Sequence, residues 1–244
     1  MRHAIHNPPG EAGCSGCEQQ PRCLAGRFDE ARREQLVSRL RTGIRCLPRY
    51  PLFHAGDRFR YLYIVQSGSF KSWRLERNGD QQVLGFHLPG DVLGIDGIRN
   101  GTHTSAAQAL QSSRVCALSL ARNPESLDGL SWFNAGLLKA MSRASSQDQE
   151  HLVIMGRRQA TQRLAMFLRR LRRQYRRLGW PDDELTLTMS RADLASFLGL
   201  VLETVSRLFS QLHESQVLEV RRRRVTVLDP ERLRQLSEAE AVSG

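Results

Sequence analysis

The sequence of 244 residues contains no uninterrupted apolar run that approaches the roughly 18–20 residues needed to cross a bilayer. Its opening residues, MRHAIHNPPGEAG, also lack the apolar stretch of a signal peptide. We therefore expect a cytoplasmic protein that has no membrane partner.

Catalytic patterns are also missing from the sequence. The seven histidines are scattered, and no nucleophile stands in a recognisable arrangement with a base. No glycine-rich segment has the spacing of a phosphate-binding P-loop. These absences argue against an enzyme and favour a binding protein.

Acidic residues are in short supply, with 25 Asp and Glu against 36 Lys and Arg, which gives a formal net charge of +11. The basic excess is arginine, whose planar guanidinium pairs with phosphate and with base edges. Nucleic acid is therefore the first partner to consider. General solubility or binding to an anionic membrane is the alternative.

Cysteine is too sparse for a disulfide framework, because five is an odd number and a chain of this length can form a core without staples. Three of the five stand close together as C-x-x-C-x5-C, at Cys14, Cys17 and Cys23. Thiolates crowded in this way usually hold a metal ion or an iron–sulfur cluster. On the residues alone, Cys46 and Cys116 are near-equal candidates for a fourth ligand.

The order of elements predicts an α+β chain. Helical spacing occurs over 29–41, 131–156 and 159–178, whereas 47–120 alternates short apolar runs with glycine, which is typical of a β sandwich or roll. Asn78-Gly79 predicts a hairpin. Residues 1–13 are expected to be a disordered lead-in.

The helix over 131–156 carries a stripe at 3–4 spacing, made of Leu138, Met141, Ser145, Asp148, Leu152 and Met155. This stripe is typical of a coiled-coil dimer seam, although a helix packed on its own domain is an equal alternative. The next helix has an arginine-rich face, at Arg169, Arg170, Arg172, Arg173, Arg176 and Arg177. We expect that face to be solvated rather than bound to DNA.

A helix-turn-helix is predicted near the C-terminus. Ser190 caps a first helix, Gly199 makes the turn, and a second helix starts near Val201. On that helix Glu203, Ser206 and Arg207 share one face, and their groups suit base edges in the major groove. The following VLEVRRRRVTV predicts a hairpin with basic residues at its tip, placed to contact phosphates.

Several segments together make the whole chain resemble the FNR branch of the CRP/FNR superfamily of bacterial transcription regulators. They are LFHAGD, LYIVQSGSFKSW, GFHLPGDVLGIDGI, AQALQSSRVC, RLAMFL and LTMSRADLASFLGLVLETVSRL. The resemblance implies an N-terminal cysteine segment (1–27), a β-roll sensor of the cyclic-nucleotide-binding type (28–130), a dimerisation helix (131–157) and a winged helix-turn-helix domain (158–244).

The resemblance also implies that Cys14, Cys17, Cys23 and Cys116 bind an oxygen-labile [4Fe–4S] cluster. Cys46 matches no family ligand, and we expect it to pack as a small apolar residue before the first strand. Structural zinc or a redox-active thiol site is the alternative. The family's nucleotide-binding members use an arginine that GTHTSAAQAL lacks, so no cyclic nucleotide is expected.

On the DNA side, the resemblance implies that Glu203, Ser206 and Arg207 read a TTGAT half-site in an inverted repeat of double-stranded DNA. The implied phosphate contacts are Ser190, Arg191, Thr204, Arg221, Arg222 and Arg223. The implied partners are RNA polymerase and a second copy of the chain, which forms a homodimer when the cluster is present. Asp148 falls in the seam of that dimer, where two carboxylates repel each other.

Overall fold

The computed structural model describes residues 28–37, 39–119, 131–157 and 159–238, together with Cys14, Cys17 and Cys23. The lead-in predicted for residues 1–13 lies outside them. The chain divides into two compact units, Met1–Glu76 with Leu84–Gln147 and Arg77–Val83 with Asp148–Gly244. The division falls inside the long helix predicted over 131–156.

Two four-stranded antiparallel sheets form the β structure of the N-terminal half, as the glycine-punctuated pattern predicts. The first sheet has the order β1-β8-β3-β6 and the second β2-β7-β4-β5. The strands are β1 (Leu40–Cys46), β2 (Pro51–Phe53), β3 (Tyr61–Ser67), β4 (Phe70–Leu75), β5 (Gln81–His87), β6 (Val92–Leu93), β7 (Ala106–Ala109) and β8 (Ser113–Ser119). Asn78 and Gly79 lie in the turn between β4 and β5, and Gly79 adopts a φ of 87°.

Both faces of the first sheet are covered by apolar groups, which explains why β3 and β8 read as nearly continuous apolar runs. Inward-facing residues such as Val65, Val115 and Ala117 join the core that also contains residues of the second sheet. The alternate positions, Ile64 and Leu118 among them, belong to a separate cluster on the outer face. Strand alternation therefore assigns each residue of β8 to one of two cores.

The first strand begins earlier than the sequence indicated, at Leu40 instead of near residue 47. A register shift between Arg41 and Ile44 marks a bulge, in which Gly43 adopts a φ of 71°. Cys46 consequently lies at the end of β1 and not before the first strand. It packs against the inner core, as a small apolar residue would.

The helices of the N-terminal half are α1 (Glu30–Val37) and the start of α2 (Ser131–Met155). The Asp29 carboxylate accepts a hydrogen bond from the Arg32 N–H at the first turn of α1. Leu36 of α1 is fully buried in the outer cluster of the first sheet. Within the described residues, no helix is long and apolar enough to span a membrane.

The C-terminal unit contains a three-stranded sheet and four further helices. They are α3 (Ala160–Leu178), β9 (Glu184–Thr186), α4 (Arg191–Leu198), α5 (Leu202–Glu214), β10 (Leu218–Arg221), β11 (Arg224–Val227) and α6 (Pro230–Glu238). The sheet order is β10-β11-β9, and β10 and β11 form the predicted hairpin. The helix-turn-helix prediction is confirmed in its elements.

Local chemistry fixes the ends of these helices. The Ser190 hydroxyl accepts from the Asp193 N–H, and the Asp193 carboxylate accepts from the Ser190 N–H, which completes the capping box. Gly199 ends α4 at a φ of 62°, and a side chain there would collide with the Met155 methyl group. The left-handed φ is the reason that this turn favours glycine, because the flexible end of the Met155 side chain can shift to admit a Cβ.

The sequence analysis missed α6. Its start carries a recognisable signal, since the Asp229 carboxylate accepts from the Arg232 N–H and Pro230 occupies the first helical position. Leu233 of α6 is fully buried, and the helix lies against α3.

Candidate functional site

The four cysteines implied as cluster ligands come from two segments, the N-terminal segment and β8, which lie near each other on the outer face of the first sheet. Cys14 and Cys23 are buried members of the outer cluster, and Cys116 packs against it. The N–H of Cys17 donates to the carbonyl of Cys14. Because Cys116 alternates with inward-facing Val115 and Ala117, its thiol faces the N-terminal cysteines.

The fifth cysteine is separated from this group by the sheet itself. Ile44 and Cys46 face the inner core, because the bulge at Gly43 reverses the alternation of β1. Burial raises the pKa of the Cys46 thiol to about 11. Cys116 therefore lies on the same face of the sheet as Cys14 and Cys23, whereas Cys46 lies on the opposite face.

Ionisation of the Cys14 and Cys116 thiols is suppressed. Burial raises the pKa of Cys116 to about 12, and the nearby thiols of Cys14, Cys17 and Cys23 act in the same direction. Burial, then Cys23 and Cys17, also raise the pKa of Cys14. Thiolates are thus unfavourable here unless a cation compensates them. Among the residues that the structure describes, no group of three or more His, Cys, Asp or Glu stands ready to hold a metal ion.

The helix α2 contacts this cysteine pocket directly. Leu137 and Ala140 pack against the same cluster as Cys14 and Cys23. On another side of the helix Leu138 and Leu152 are 65 % and 71 % exposed. Such exposure is unusual for large apolar side chains along one helix and agrees with a seam for a second copy of the chain.

The stripe is not uniform along its length. Met141, Ser145 and Asp148 are also exposed, whereas Met155 lies against Gly199 within the C-terminal unit. Partial burial raises the pKa of Asp148, and the positive charge of Arg170 opposes this shift. A carboxyl group with a raised pKa takes up a proton readily when a second negative charge approaches it.

His151, which the sequence analysis did not single out, lies one turn beyond Asp148. Its ring stacks on Phe197 of α4 with 3.9 Å between centroids, and its Nε2 lies 2.7 Å from the Phe197 carbonyl oxygen. Burial lowers the pKa of His151, so the neutral ring is favoured. A histidine at helical spacing gave no signal in the sequence because its partner is 46 residues away.

The predicted reading residues lie on the exposed face of α5. Glu203, Ser206 and Arg207 are exposed, while Val205 and Leu208 of the same helix are buried. Within the part of the chain that the structure describes, the Arg207 guanidinium makes a long contact, 3.5 Å, with the Thr204 hydroxyl and no ion pair. These polar groups are free to face the edges of base pairs.

Arg191, implied as a phosphate contact, is engaged within the protein. Its guanidinium lies 3.3 Å from the ring centroid of Phe209, a cation–π contact between α4 and α5. Burial lowers the pKa of Arg191 to about 10. Ser190, by contrast, is exposed, and its hydroxyl is hydrogen-bonded to the Asp193 carboxylate. Both side chains therefore stabilise α4, whether or not they also contact phosphate.

Two arginine-rich surfaces of the C-terminal unit differ in their partners. On α3, arginines face carboxylates in the pairs Arg169–Glu238, Arg170–Glu150, Arg172–Asp182, Arg173–Glu150 and Arg176–Asp182. At the hairpin tip, Arg221 pairs with Glu219 and Arg224 with Glu184. Between them, Arg222 and Arg223 make no side-chain hydrogen bond or ion pair with any other described residue.

The comparisons with known proteins agree with this arrangement. Residues 162–236 match the Crp-like helix-turn-helix domain, and residues 45–123 match the cyclic nucleotide-binding domain. The chain is 35 % identical to the fumarate and nitrate reduction regulatory protein of Escherichia coli K12, over 92 % of this chain and 90 % of that protein. The same protein of Vibrio cholerae is 34 % identical over the same shares.

The chain belongs to the FNR family. A solved relative, FixK2 from Bradyrhizobium japonicum, superposes with a TM-score of 0.69 at 29 % identity and covers 81 % of this chain and 97 % of its own. This FNR-family protein is a DNA-binding transcription regulator and not an enzyme, as predicted. The predicted α+β fold is confirmed as well.

Although the FNR-family chain matches a cyclic nucleotide-binding domain, a carboxylate of its own occupies donors in the relevant loop. Asp96 accepts from the N–H and hydroxyl groups of both Thr104 and Ser105, at 2.8 to 3.2 Å. Burial alone would raise the pKa of Asp96, but these bonds and that of His103 lower it. The hydrogen-bond donors of Thr104 and Ser105, in the GTHTSAAQAL segment, are therefore occupied by the Asp96 carboxylate of the same chain.

Proposed function

We propose that this regulator senses oxygen through a [4Fe–4S] cluster held by Cys14, Cys17, Cys23 and Cys116, and controls the expression of genes used without oxygen. The observation that carries the proposal is the meeting of these four thiols in one apolar pocket against α2. Iron–sulfur clusters take four cysteine thiolates, and their charge would offset the cost of ionising thiols in this pocket.

The donor set fits such a group. All four cysteines are free thiols, and the backbone N–H of Gly43 hydrogen-bonds the Cys116 sulfur. The ligands span the sheet and the N-terminal segment, so a bound cluster would tie that segment to β8. When bound, the cluster supplies a centre that oxygen oxidises, which gives the pocket its sensitivity.

The packing of α2 suggests how the pocket controls dimerisation. Leu137 and Ala140 contact the cysteine pocket, while Leu138 and Leu152 form part of the exposed stripe. Binding or loss of the cluster would alter the packing of Leu137 and Ala140 and thus the orientation of α2. The orientation of α2 would then decide whether its exposed stripe packs against the stripe of a second copy. Asp148 opposes the dimer, because two like charges close together repel.

The dimer would place two α5 helices in successive major grooves, about 34 Å apart on one face of the DNA. Glu203, Ser206 and Arg207 would read a TTGAT-type half-site on each side of an inverted repeat, and the hairpin arginines would contact phosphates. The family's role in transcription implies that the DNA-bound dimer then engages RNA polymerase.

The test is purification of the full-length chain without air. We expect brown protein with about four iron and four sulfide per chain, which is dimeric and binds a TTGAT inverted repeat. Admission of air should bleach the protein and release the DNA. Colourless protein that contains zinc and binds DNA equally in air and without it would overturn the proposal.

A further inference from the structure

We propose that Gln66 is a positioning residue for the cysteine centre, donating a side-chain hydrogen bond to the Cys17 sulfur and thereby raising the reduction potential of the bound cluster. The inference rests on the proposed function and adds a residue that sets the reduction potential of the centre. Gln66 stood out in neither the sequence pattern nor the ligand set.

The position of Gln66 follows from β3. Leu62, Ile64 and Gln66 alternate toward the outer face, and Ile64 pairs with Cys116 in the ladder. The β3–β8 ladder shifts register between Val65 and Ser67, so the contact with Cys17, and not alternation alone, places the Gln66 side chain on the outer face. Its Nε2 lies 3.8 Å from the Cys17 Sγ, although 49 residues separate the two along the chain.

The other end of the amide has no such partner. The Gln66 Oε1 is buried and makes no hydrogen bond with any described residue. Buried side-chain amides usually satisfy both ends, so this one gives up a hydrogen bond to remain beside the sulfur. A sulfur that ligates iron carries no proton, so only the NH2 end of the amide can form a hydrogen bond with it.

A donor at this sulfur has a definite electrostatic effect. A hydrogen bond to a thiolate stabilises negative charge and therefore favours the more reduced form of the centre. The Gly43 N–H makes a similar contact with Cys116 from the backbone. Of these two donors, only Gln66 can be removed by substitution of a side chain, which makes the idea testable.

The experiment compares Gln66→Leu and Gln66→Glu with the unmodified full-length chain, each loaded with cluster without air. Leucine removes the donor at similar size, and glutamate replaces it with a negative charge. Redox titration should give potentials that become more negative from Gln to Leu to Glu. The iron–thiolate stretching bands should move to higher frequency in the leucine variant, because electron density returns to the sulfur.

Two further variants separate this role from simple packing. Gln108→Leu makes the same change in β7, where the Gln108 amide donates to the Arg49 carbonyl, and should leave the potential unchanged. Gln66→Arg keeps an N–H donor and should hold the potential at or above the unmodified value, including if the leucine variant loads poorly. Thermal unfolding of the unloaded proteins measures any structural effect separately.

The outcomes distinguish the two proposals. If the unmodified chain takes up no cluster, the proposed function fails and this inference fails with it. If the unmodified chain loads normally but all Gln66 variants share its potential and vibrational bands, the inference alone is wrong. A change confined to the unfolding of unloaded protein would likewise assign Gln66 a purely structural role.

Discussion

The recognition surface and the cysteine pocket differ in how far the chain completes them by itself. The surface of α5 rests on a finished framework, with a capping box at Ser190 and a glycine turn at Gly199, and presents its polar groups to solvent. In the pocket, apolar surroundings oppose ionisation of the Cys14 and Cys116 thiols. The surface of α5 is therefore already arranged without a ligand. In the pocket, by contrast, a cationic centre would offset the free-energy cost of ionising the thiols.

The largest effect should come from removing the ligand that the sheet supplies. Cys116→Ala removes the one proposed ligand that lies on β8, so we expect loss of the cluster and of operator binding without air. The C-terminal unit should keep its secondary structure, because the substitution lies outside its own core. Iron analysis, circular dichroism and DNA-binding titration measure the three properties.

The matched control for that variant is Cys46→Ala, which removes a thiol from the opposite face of the same sheet. It should retain the cluster and cost only packing. Equal loss of iron in both variants would contradict the division of the cysteines between the two faces of the sheet.

The choice between Cys46 and Cys116 also marks the limit of sequence reasoning. The pattern of apolar runs and glycines correctly predicted a β sandwich, and spacing correctly predicted the second helix of the helix-turn-helix, α5. The bulge at Gly43 reverses the alternation of β1, however, and a glycine in a strand does not announce a bulge by itself. The proposed ligand assignment therefore came from family resemblance. Only the fold shows that Cys116 and Cys46 lie on opposite faces of the sheet.

Long-range polar contacts escaped sequence reasoning for a related cause. The donor to Cys17 is Gln66, and the ring beneath His151 is Phe197, each brought near by folding. Arg191 shows the same limit from the other direction. The sequence predicted a phosphate contact for this arginine but not its stacking on Phe209. Local patterns predict elements well, but side-chain partners across the fold depend on packing that no short window contains.

The second effect in size concerns the dimer. Asp148→Ala removes a carboxylate from the exposed stripe, so the variant should remain dimeric in air, where we expect the unmodified chain to become monomeric. Burial already raises the pKa of Asp148, and close approach of a second carboxylate would raise it further in the dimer. Protonation then accompanies association, and dimerisation of the unmodified chain should strengthen as pH falls.

Sedimentation in air across a pH series tests both statements. The alanine variant lacks this titration and should show a weaker pH dependence than the unmodified chain. Lys139→Ala, an exposed charge on the same helix away from the stripe, serves as control. Monomeric Asp148→Ala in air would refute the role assigned to the seam.

A smaller effect is expected at a single base contact. Arg207→Ala should cost roughly 1–3 kcal/mol of binding at the guanine of the half-site, and discrimination at that base pair should fall. Arg173→Ala is the matched control, because its guanidinium is held by Glu150 at 3.0 Å. Titrations with the operator and with a variant at the guanine position measure both. An unchanged base preference in Arg207→Ala would show that another residue reads this position.

The smallest effect tests whether the hairpin tip resembles the recognition surface in being built for DNA. Arg222 adopts a φ of 55°, a conformation that costs a non-glycine residue about 1–2 kcal/mol. Glycine would relieve this strain but would add about 0.4–1 kcal/mol of unfolded-state entropy, so the net change in folding free energy should be small. Arg222→Gly should nevertheless weaken DNA binding and reduce the slope of log affinity against log salt by about 1.

Arg222→Lys completes this test, because it keeps the charge and the strained conformation while it removes the planar guanidinium. If the contact is a phosphate, the lysine variant should keep the salt slope of the unmodified chain, since a point charge neutralises phosphate as well as a fork does. If lysine instead behaves like glycine, Arg222 reads groove shape or base edges and not charge alone. Equal affinity and salt slope in all three proteins would mean that the strained arginine serves no purpose in DNA binding.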